Sequence, residues 1–196
     1  MTLAYRIIRS EHYEIDLVMR CLDNLAIALS KEAWTADFGF LFLLLDYVEN
    51  FPATFHHPKE EDYLFEAVRR RSPDSSDLLD TLCREHAAVT ESIRELRLSL
   101  ETHIDRPAAR GWFCDTARKL ARLEREHMRK EERTVLPLAL QVLSKADWEQ
   151  TNAAFVQNDN PFLTARRRKN FDQLFSLILR QLPAAAVLDR RRVRVA

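Results

Sequence analysis

The chain has 196 residues and only two glycines, Gly39 and Gly111. Sheets and tight hairpins use glycine where the backbone turns with a positive φ, so a chain this poor in glycine has few such turns. Its hydrophobic fraction of 46% is enough for a buried core. We therefore expect an all-α fold built from long helices.

Apolar residues recur at steps of three and four along four long segments, which is the period of an amphipathic helix. The pattern predicts helices over residues 3–30, 34–71, 77–102 and 107–143. Long helices joined by short connections form an up-down antiparallel four-helix bundle. We expect residues 1–143 to form this bundle.

Two further helices are expected beyond the bundle. Residues 144–183 are predicted to form a C-terminal helical appendage. Its first helix is short and begins at Ser144 or Asp147, and its second is amphipathic over residues 162–182. Residues 184–196 are expected to be a mobile basic tail.

Charge and hydropathy argue against nucleic acid and membrane as partners. The formal net charge is +0, so the basic runs at 166–169 and 190–194 are interpreted as a solvated helix face and a solubilising tail. The longest apolar run, residues 38–45, is too short to span a bilayer.

The N-terminal segment lacks the apolar core of a signal peptide, and the three cysteines are widely scattered. Scattered cysteines in an odd number are typical of reduced thiols in a cytoplasmic protein. They are Cys21, Cys83 and Cys114.

Histidines and glutamates interrupt the inward apolar stripes in a duplicated order. One histidine is followed by a histidine and a glutamate four residues apart, and the order then repeats: His12, His56, Glu60, His86, His127 and Glu131. Residues four apart lie on the same face of a helix. Imidazole and carboxylate groups in an apolar bundle suit iron, manganese or zinc. These six residues therefore predict a pair of metal ions, with the two glutamates able to bridge them.

An internal repeat relates the two halves of the predicted bundle. HHPKEEDYLF at residues 56–65 aligns with HMRKEERTVL at residues 127–136, so both contain HxxKEE. SEH at residues 10–12 is echoed by REH at residues 84–86. The glutamate of each EH pair is either a hydrogen-bond partner of the ligands or a surface residue.

The first HxxxE motif has two possible registers, because His57 and Glu61 are also four residues apart. The repeat places His57 opposite Met128, and a thioether is a poor ligand for a hard ion. We therefore assign His56 and Glu60 as ligands, and we expect His57 and Glu61 to hydrogen-bond around the site or to lie at the surface. The reverse assignment remains the alternative.

The order H…HxxxE…H…HxxxE, with HHPKEEDYLF and EHMRKEERTVLP as its glutamate-bearing segments, resembles the hemerythrin/HHE cation-binding family over about residues 3–143. The resemblance implies an oxo- or hydroxo-bridged centre of two iron ions, with the six residues above as ligands. It also implies a small diatomic or peroxide ligand: dioxygen, nitric oxide or hydrogen peroxide. Manganese or zinc is the alternative to iron.

One position departs from the oxygen-carrying members of that family, which have a second histidine four residues after the one in the third helix. Thr90 stands four residues after His86 here. We expect an open or water-filled position on that iron, which argues against reversible oxygen carriage. One hypothesis is a protein that binds or senses dioxygen, nitric oxide or related small oxidants, or that handles iron. The other is a di-iron enzyme acting on hydrogen peroxide; the sequence leaves the oligomeric state open.

Overall fold

The structure of the chain, a computed structural model, describes residues 2–33, 35–156 and 161–186. Every regular element within these ranges is helical. None of the helices there has both the length and the apolar content needed to cross a bilayer. The start of the second predicted helix at residue 34 and the basic tail from residue 187 onward lie outside the described residues.

Four helices form the bundle, in the order that the periodicity predicts. α1 is Leu3–Ser30, α2 runs over residues 38–71, α3 is Ser76–Asp105 and α4 runs over residues 110–142. Two of them are composite. α2 is α-helical over Phe38–Asn50, His57–Lys59 and Glu66–Arg71, and π-helical over Pro52–His56 and Glu60–Phe65. α4 is α-helical over Arg110–Lys130 and Leu136–Val142, and π-helical over Glu131–Val135.

Ion pairs between neighbouring helices show that they run antiparallel. Along α1 and α4, rising residue numbers meet falling ones, with Arg9 bound to Glu132, Asp16 to Arg125 and Glu32 to Arg110. The same order relates α2 to α3, through Glu49 with Arg97 and Arg69 with Asp80. The predicted up-down antiparallel bundle is confirmed.

Side-chain caps account for the start of two helices. The side chain of Thr2 accepts a hydrogen bond from the backbone N–H of Tyr5 at the start of α1. Asp37 accepts one from the N–H of Phe40 at 3.0 Å, which makes Asp37 the cap of α2 and starts that helix later than predicted. After α1 the chain reverses through Glu32, whose φ is 56°, so this left-handed turn is made without glycine.

The core is divided into two apolar clusters. One contains the C-terminal part of α1 with the N-terminal part of α2, and includes Ile15, Leu44 and Phe51. The other contains the N-terminal part of α1 with the C-terminal part of α2, and includes Ile8 and Leu64. Along every bundle helix, the histidines and glutamates of the duplicated motif lie where one cluster ends and the other begins.

Two further helices pack against the bundle: α5 (Lys145–Val156) and α6 (Pro161–Gln181). Ser144 and Asp147 cap α5 reciprocally, each side chain accepting the backbone N–H of the other. Phe155 belongs to the second apolar cluster and Phe171 to the first. The described part of the appendage therefore shares its core with the bundle, and the division at residue 143 stays a prediction.

Candidate metal centre

The six predicted ligand residues converge at one level of the bundle, between the two apolar clusters. α1 and α3 each contribute one histidine, and α2 and α4 each contribute a histidine and a glutamate one turn further along. None of the six is more than 3% exposed. They are His12, His56, Glu60, His86, His127 and Glu131.

Glu60 lies among three of the imidazoles. Its Oε1 atom is 3.3 Å from Nε2 of His12. Its Oε2 atom is 3.4 Å from Nε2 of His56 and 3.7 Å from Nε2 of His86. The carboxylate thus reaches histidines from both halves of the repeat, as a carboxylate that bridges two ions would.

Glu131 occupies the corresponding place on α4. Its Oε1 atom is 3.2 Å from Nε2 of His127 and 3.7 Å from Nε2 of His86, and its Oε2 atom is 3.3 Å from Nε2 of His12. Two sets of donor atoms lie close enough to hold one ion each, with all atoms of a set within 4.8 Å of one another. One set is His12, His56 and Glu60, and the other is Glu60, His86, His127 and Glu131.

Several inward atoms of this cluster have no hydrogen-bond partner among the described residues. They are Nε2 of His56, His86 and His127, Oε2 of Glu60, and both carboxylate oxygens of Glu131. A buried polar group without a partner costs about 1–3 kcal/mol, and a charged one costs more. Metal ions would bind these atoms and remove that cost, and imidazole with carboxylate suits iron, manganese or zinc. The residues therefore fit a pair of metal ions.

The outward nitrogen of each of these four histidines faces a carboxylate. The Nδ1 atoms lie 3.1 Å from Glu132 for His12, 2.8 Å from Glu11 for His56, 2.6 Å from Glu61 for His86 and 3.1 Å from Glu85 for His127. A histidine that donates its Nδ1–H to a carboxylate keeps the lone pair of Nε2 for a metal. All four Nε2 atoms point toward the centre in this tautomer.

The internal repeat accounts for these outer contacts. In both copies the glutamate of the EH pair accepts from the HxxKEE histidine of its own copy, and the last glutamate of HxxKEE accepts from the EH histidine of the other copy. The lysine of each motif binds the same EH glutamate, with Lys59 on Glu11 and Lys130 on Glu85. The copies differ in depth, because the Lys59 side chain is 4% exposed and that of Lys130 is 51% exposed.

The pair of Lys59 and Glu11 is buried behind His56. The ammonium lies 2.9 Å from Oε1 and 3.1 Å from Oε2 of Glu11. It also lies over the ring of Phe55 at 4.1 Å and that of Phe155 at 4.9 Å. Burial alone would raise the pKa of Glu11, but the hydrogen bond from His56 and the Lys59 ammonium outweigh it and lower that pKa to about 2.

Each inward glutamate stands at the first residue of a π-helical stretch, Glu60–Phe65 in α2 and Glu131–Val135 in α4. Single π-helical turns inside α-helices occur frequently at functional sites. In both motifs the first glutamate faces the centre, while the second hydrogen-bonds a histidine of a neighbouring helix. The π-helical stretches therefore occur where two consecutive glutamates contact different groups: the first faces the centre and the second binds a histidine of a neighbouring helix.

His57 lies inside the centre, so the surface position considered for it is wrong. It is 3% exposed, its ring stacks on that of His86 with centroids 4.0 Å apart, and its Nε2 is 3.2 Å from Glu124. Burial lowers the pKa of His57. Sequence reasoning did not single out Glu124, although it stands three residues before His127 on the same helical face. Glu61 does hydrogen-bond His86, as expected for a residue around the site.

Comparison with known protein families agrees with this geometry. A family model described as the hemerythrin HHE cation binding domain matches residues 3–139, which include all six residues that converge at the centre. No curated protein matches the chain. The matched segment covers α1 to α3 and all but the last turn of α4. The chain therefore belongs to the hemerythrin HHE cation-binding family.

Proposed function

We propose that this protein holds two iron ions between its four helices and uses them to bind or sense dioxygen, nitric oxide or related small oxidants, or to handle iron. The observation that carries the proposal is the set of buried inward nitrogen and oxygen atoms without hydrogen-bond partners in the described part of the chain. A cation-binding family and a donor set suited to iron support it.

The chain's own residues would divide the work as follows. His12 and His56 would hold one ion, His86 and His127 the other, and the two inward glutamates would bridge them. Iron bound there would supply one-electron redox chemistry and a place for a small ligand. The carboxylates on the Nδ1 atoms keep the imidazoles in the metal-binding tautomer, and the apolar clusters on both sides exclude water.

His12 and Met128 are among the residues that line a surface pocket of about 230 Å³. Four arginines and two carboxylates line it: Arg9, Arg20, Arg125, Arg129, Asp16 and Glu132. The excess of positive charge favours the approach of small anions. This pocket gives an exogenous ligand a route to the His12 side of the centre.

Metal analysis of the purified protein tests the centre itself. We expect two iron ions per chain, and at most one in His127→Ala, because that change removes an imidazole from one donor set. His103→Ala is the matched control, because His103 is also buried but packs beside Phe38 and Phe113, away from the centre. Two manganese or zinc ions per chain would support the metal centre and would show that its ion is not iron. A wild-type protein without metal would overturn the proposal.

The small ligand is tested by spectroscopy and kinetics on the iron-loaded protein. A visible charge-transfer band that forms with dioxygen and disappears under vacuum supports binding. The pocket at His12 would also admit hydrogen peroxide, which makes a peroxide-consuming enzyme the second candidate. Steady-state peroxide consumption no faster than that of the same amount of free iron excludes the enzyme. Consumption that is fast in wild type and lost in Glu131→Ala favours it.

A further inference from the structure

Three imidazoles share one side of the centre. The His57 ring lies nearly parallel to that of His86, at 12°, and its centroid is 5.7 Å from that of His127. Each of the three offers a nitrogen within 4.8 Å of those of the other two. This spacing suits three ligands of a single ion.

The orientation of the His57 ring is the reverse of that of the four histidines whose Nδ1 atoms face carboxylates. Its Nε2 faces Oε1 of Glu124, a carboxylate that is 0% exposed and that accepts a hydrogen bond. The proton therefore lies on Nε2, and Nδ1 keeps its lone pair. Nδ1 of His57 is buried and has no hydrogen-bond partner among the described residues. A buried nitrogen with a free lone pair, beside two imidazoles of the proposed metal centre, has the properties expected of a metal ligand in the absence of the ion.

We propose that His57 is a seventh ligand, bound through Nδ1 to the ion that His86 and His127 hold. The inference rests on the proposed metal centre and adds to it. That ion would have three imidazoles and a share of both glutamates, whereas the ion at His12 and His56 would have two imidazoles and the same glutamates. The two ions are then inequivalent.

The internal repeat identifies where the second ion lacks its third imidazole. Met128 stands at the position equivalent to His57, and its thioether is a poor ligand for a hard ion. Met128 and His12 also line the 230 Å³ pocket, so the open position faces a route from the surface. The sequence predicts the open position at Thr90. The Thr90 hydroxyl instead donates a hydrogen bond to the backbone oxygen of His86 at 3.1 Å. The position for an exogenous ligand therefore lies at His12 and His56.

The assignment is tested first on the wild-type chain loaded with zinc, which is diamagnetic. Long-range ¹⁵N–¹H spectra report which imidazole nitrogen carries the proton and which binds metal. We expect zinc on Nδ1 of His57, with the proton on Nε2, and the opposite pattern for His12, His56, His86 and His127. A His57 spectrum that zinc leaves unchanged overturns the assignment. Zinc analysis separates the two proposals, because a chain that binds no zinc fails the metal centre and not His57 in particular.

Two variants test the same assignment with iron. Azide, a small anion, should bind the wild-type protein once per chain, and His57→Ala should bind it twice, because the substitution opens a second position. Met128→Ala is the matched control at the equivalent position of the repeat and should keep one azide. Unchanged azide stoichiometry in iron-loaded His57→Ala overturns the assignment.

Glu124→Gln keeps the shape of the partner and removes its charge. Loss of a residue that orients a metal ligand typically weakens binding about 10–100-fold. We expect this loss for one of the two zinc ions in Glu124→Gln, measured by competition with a chelator. If Glu124→Gln binds both zinc ions as tightly as the wild type does, Glu124 does not orient a metal ligand, and the tautomer assigned to His57 is wrong.

Discussion

Replacing Lys59 with methionine removes a buried cation and keeps a side chain of similar length. Lys59 binds both oxygens of Glu11, and Glu11 in turn accepts the Nδ1–H of His56. In Lys59→Met the Glu11 carboxylate stays buried without its ammonium. The substitution therefore separates the buried charge from the group that neutralises it.

The expected loss of stability depends on how deeply the ion pair is buried. The Lys59 and Glu11 side chains are 4% and 2% exposed, and breaking a pair this deeply buried costs about 3–5 kcal/mol. The equivalent pair of the repeat joins Lys130 to Glu85, and the Lys130 side chain is 51% exposed. Breaking an exposed pair costs no more than about 1 kcal/mol. For a chain of this length, Lys59→Met should lower the Tm by about 6–20 °C, whereas Lys130→Met should lower it by less than about 4 °C.

Urea unfolding followed by far-ultraviolet circular dichroism measures both variants at the same metal content. Lys130→Met is the matched control, because two glutamates follow the lysine in both copies of the repeat and each lysine binds the glutamate of an EH pair. A double variant with Lys59→Met and Glu11→Gln should recover part of the loss, because it also removes the carboxylate charge that Lys59 faces. A free energy of unfolding for Lys59→Met equal to that of Lys130→Met would refute the reasoning.

Three further predictions concern parts of the molecule away from the candidate metal centre. Ser144→Ala should lower the free energy of unfolding by about 1 kcal/mol, because it removes the hydroxyl that caps α5, and urea titration measures this. Hydrogen bonds from Arg71 and Ser144 hold the pKa of Asp147 below its usual 3.8, so its contribution to stability is present above that pH and declines below it. The difference in Tm between wild type and Asp147→Asn should therefore shrink between neutral pH and about pH 3. Burial raises the pKa of Cys21 to about 12 and that of the partly exposed Cys83 to about 11, so mass spectrometry of thiol labelling should find Cys83 modified first and Cys21 only on unfolding.

The helices could be predicted from apolar periodicity because packing and period agree along most of the chain. Prediction and structure agree on α1 at both ends, residues 3 and 30. α3 continues to Asp105, three residues past its predicted end. The predicted start of α2 at residue 34 is too early, because the Asp37 side chain caps a helix that begins at Phe38.

The inward histidines and glutamates could be predicted because residues four apart share a helical face. The repeat favoured His56 over His57 as the ligand. The repeat could not reveal that both histidines point inward. α2 is π-helical over Pro52–His56 and again over Glu60–Phe65, so α-helical spacing no longer decides which residues face the core. The outer carboxylates depend on contacts between helices, which one sequence does not display; Glu124 is such a residue.

The burial of Lys59 depends on a residue beyond the matched family segment. The family match ends at residue 139, whereas Phe155, which covers the Lys59 ammonium, lies on α5. Grafting residues 3–139 onto another chain would transplant the imidazoles and carboxylates of the centre. It would keep the Phe55 ring but leave behind Phe155, so water would reach one side of the ammonium and weaken its pull on Glu11 and, through Glu11, on His56. The matched segment thus contains the proposed ligands, while part of their electrostatic setting comes from Phe155, which lies outside that segment.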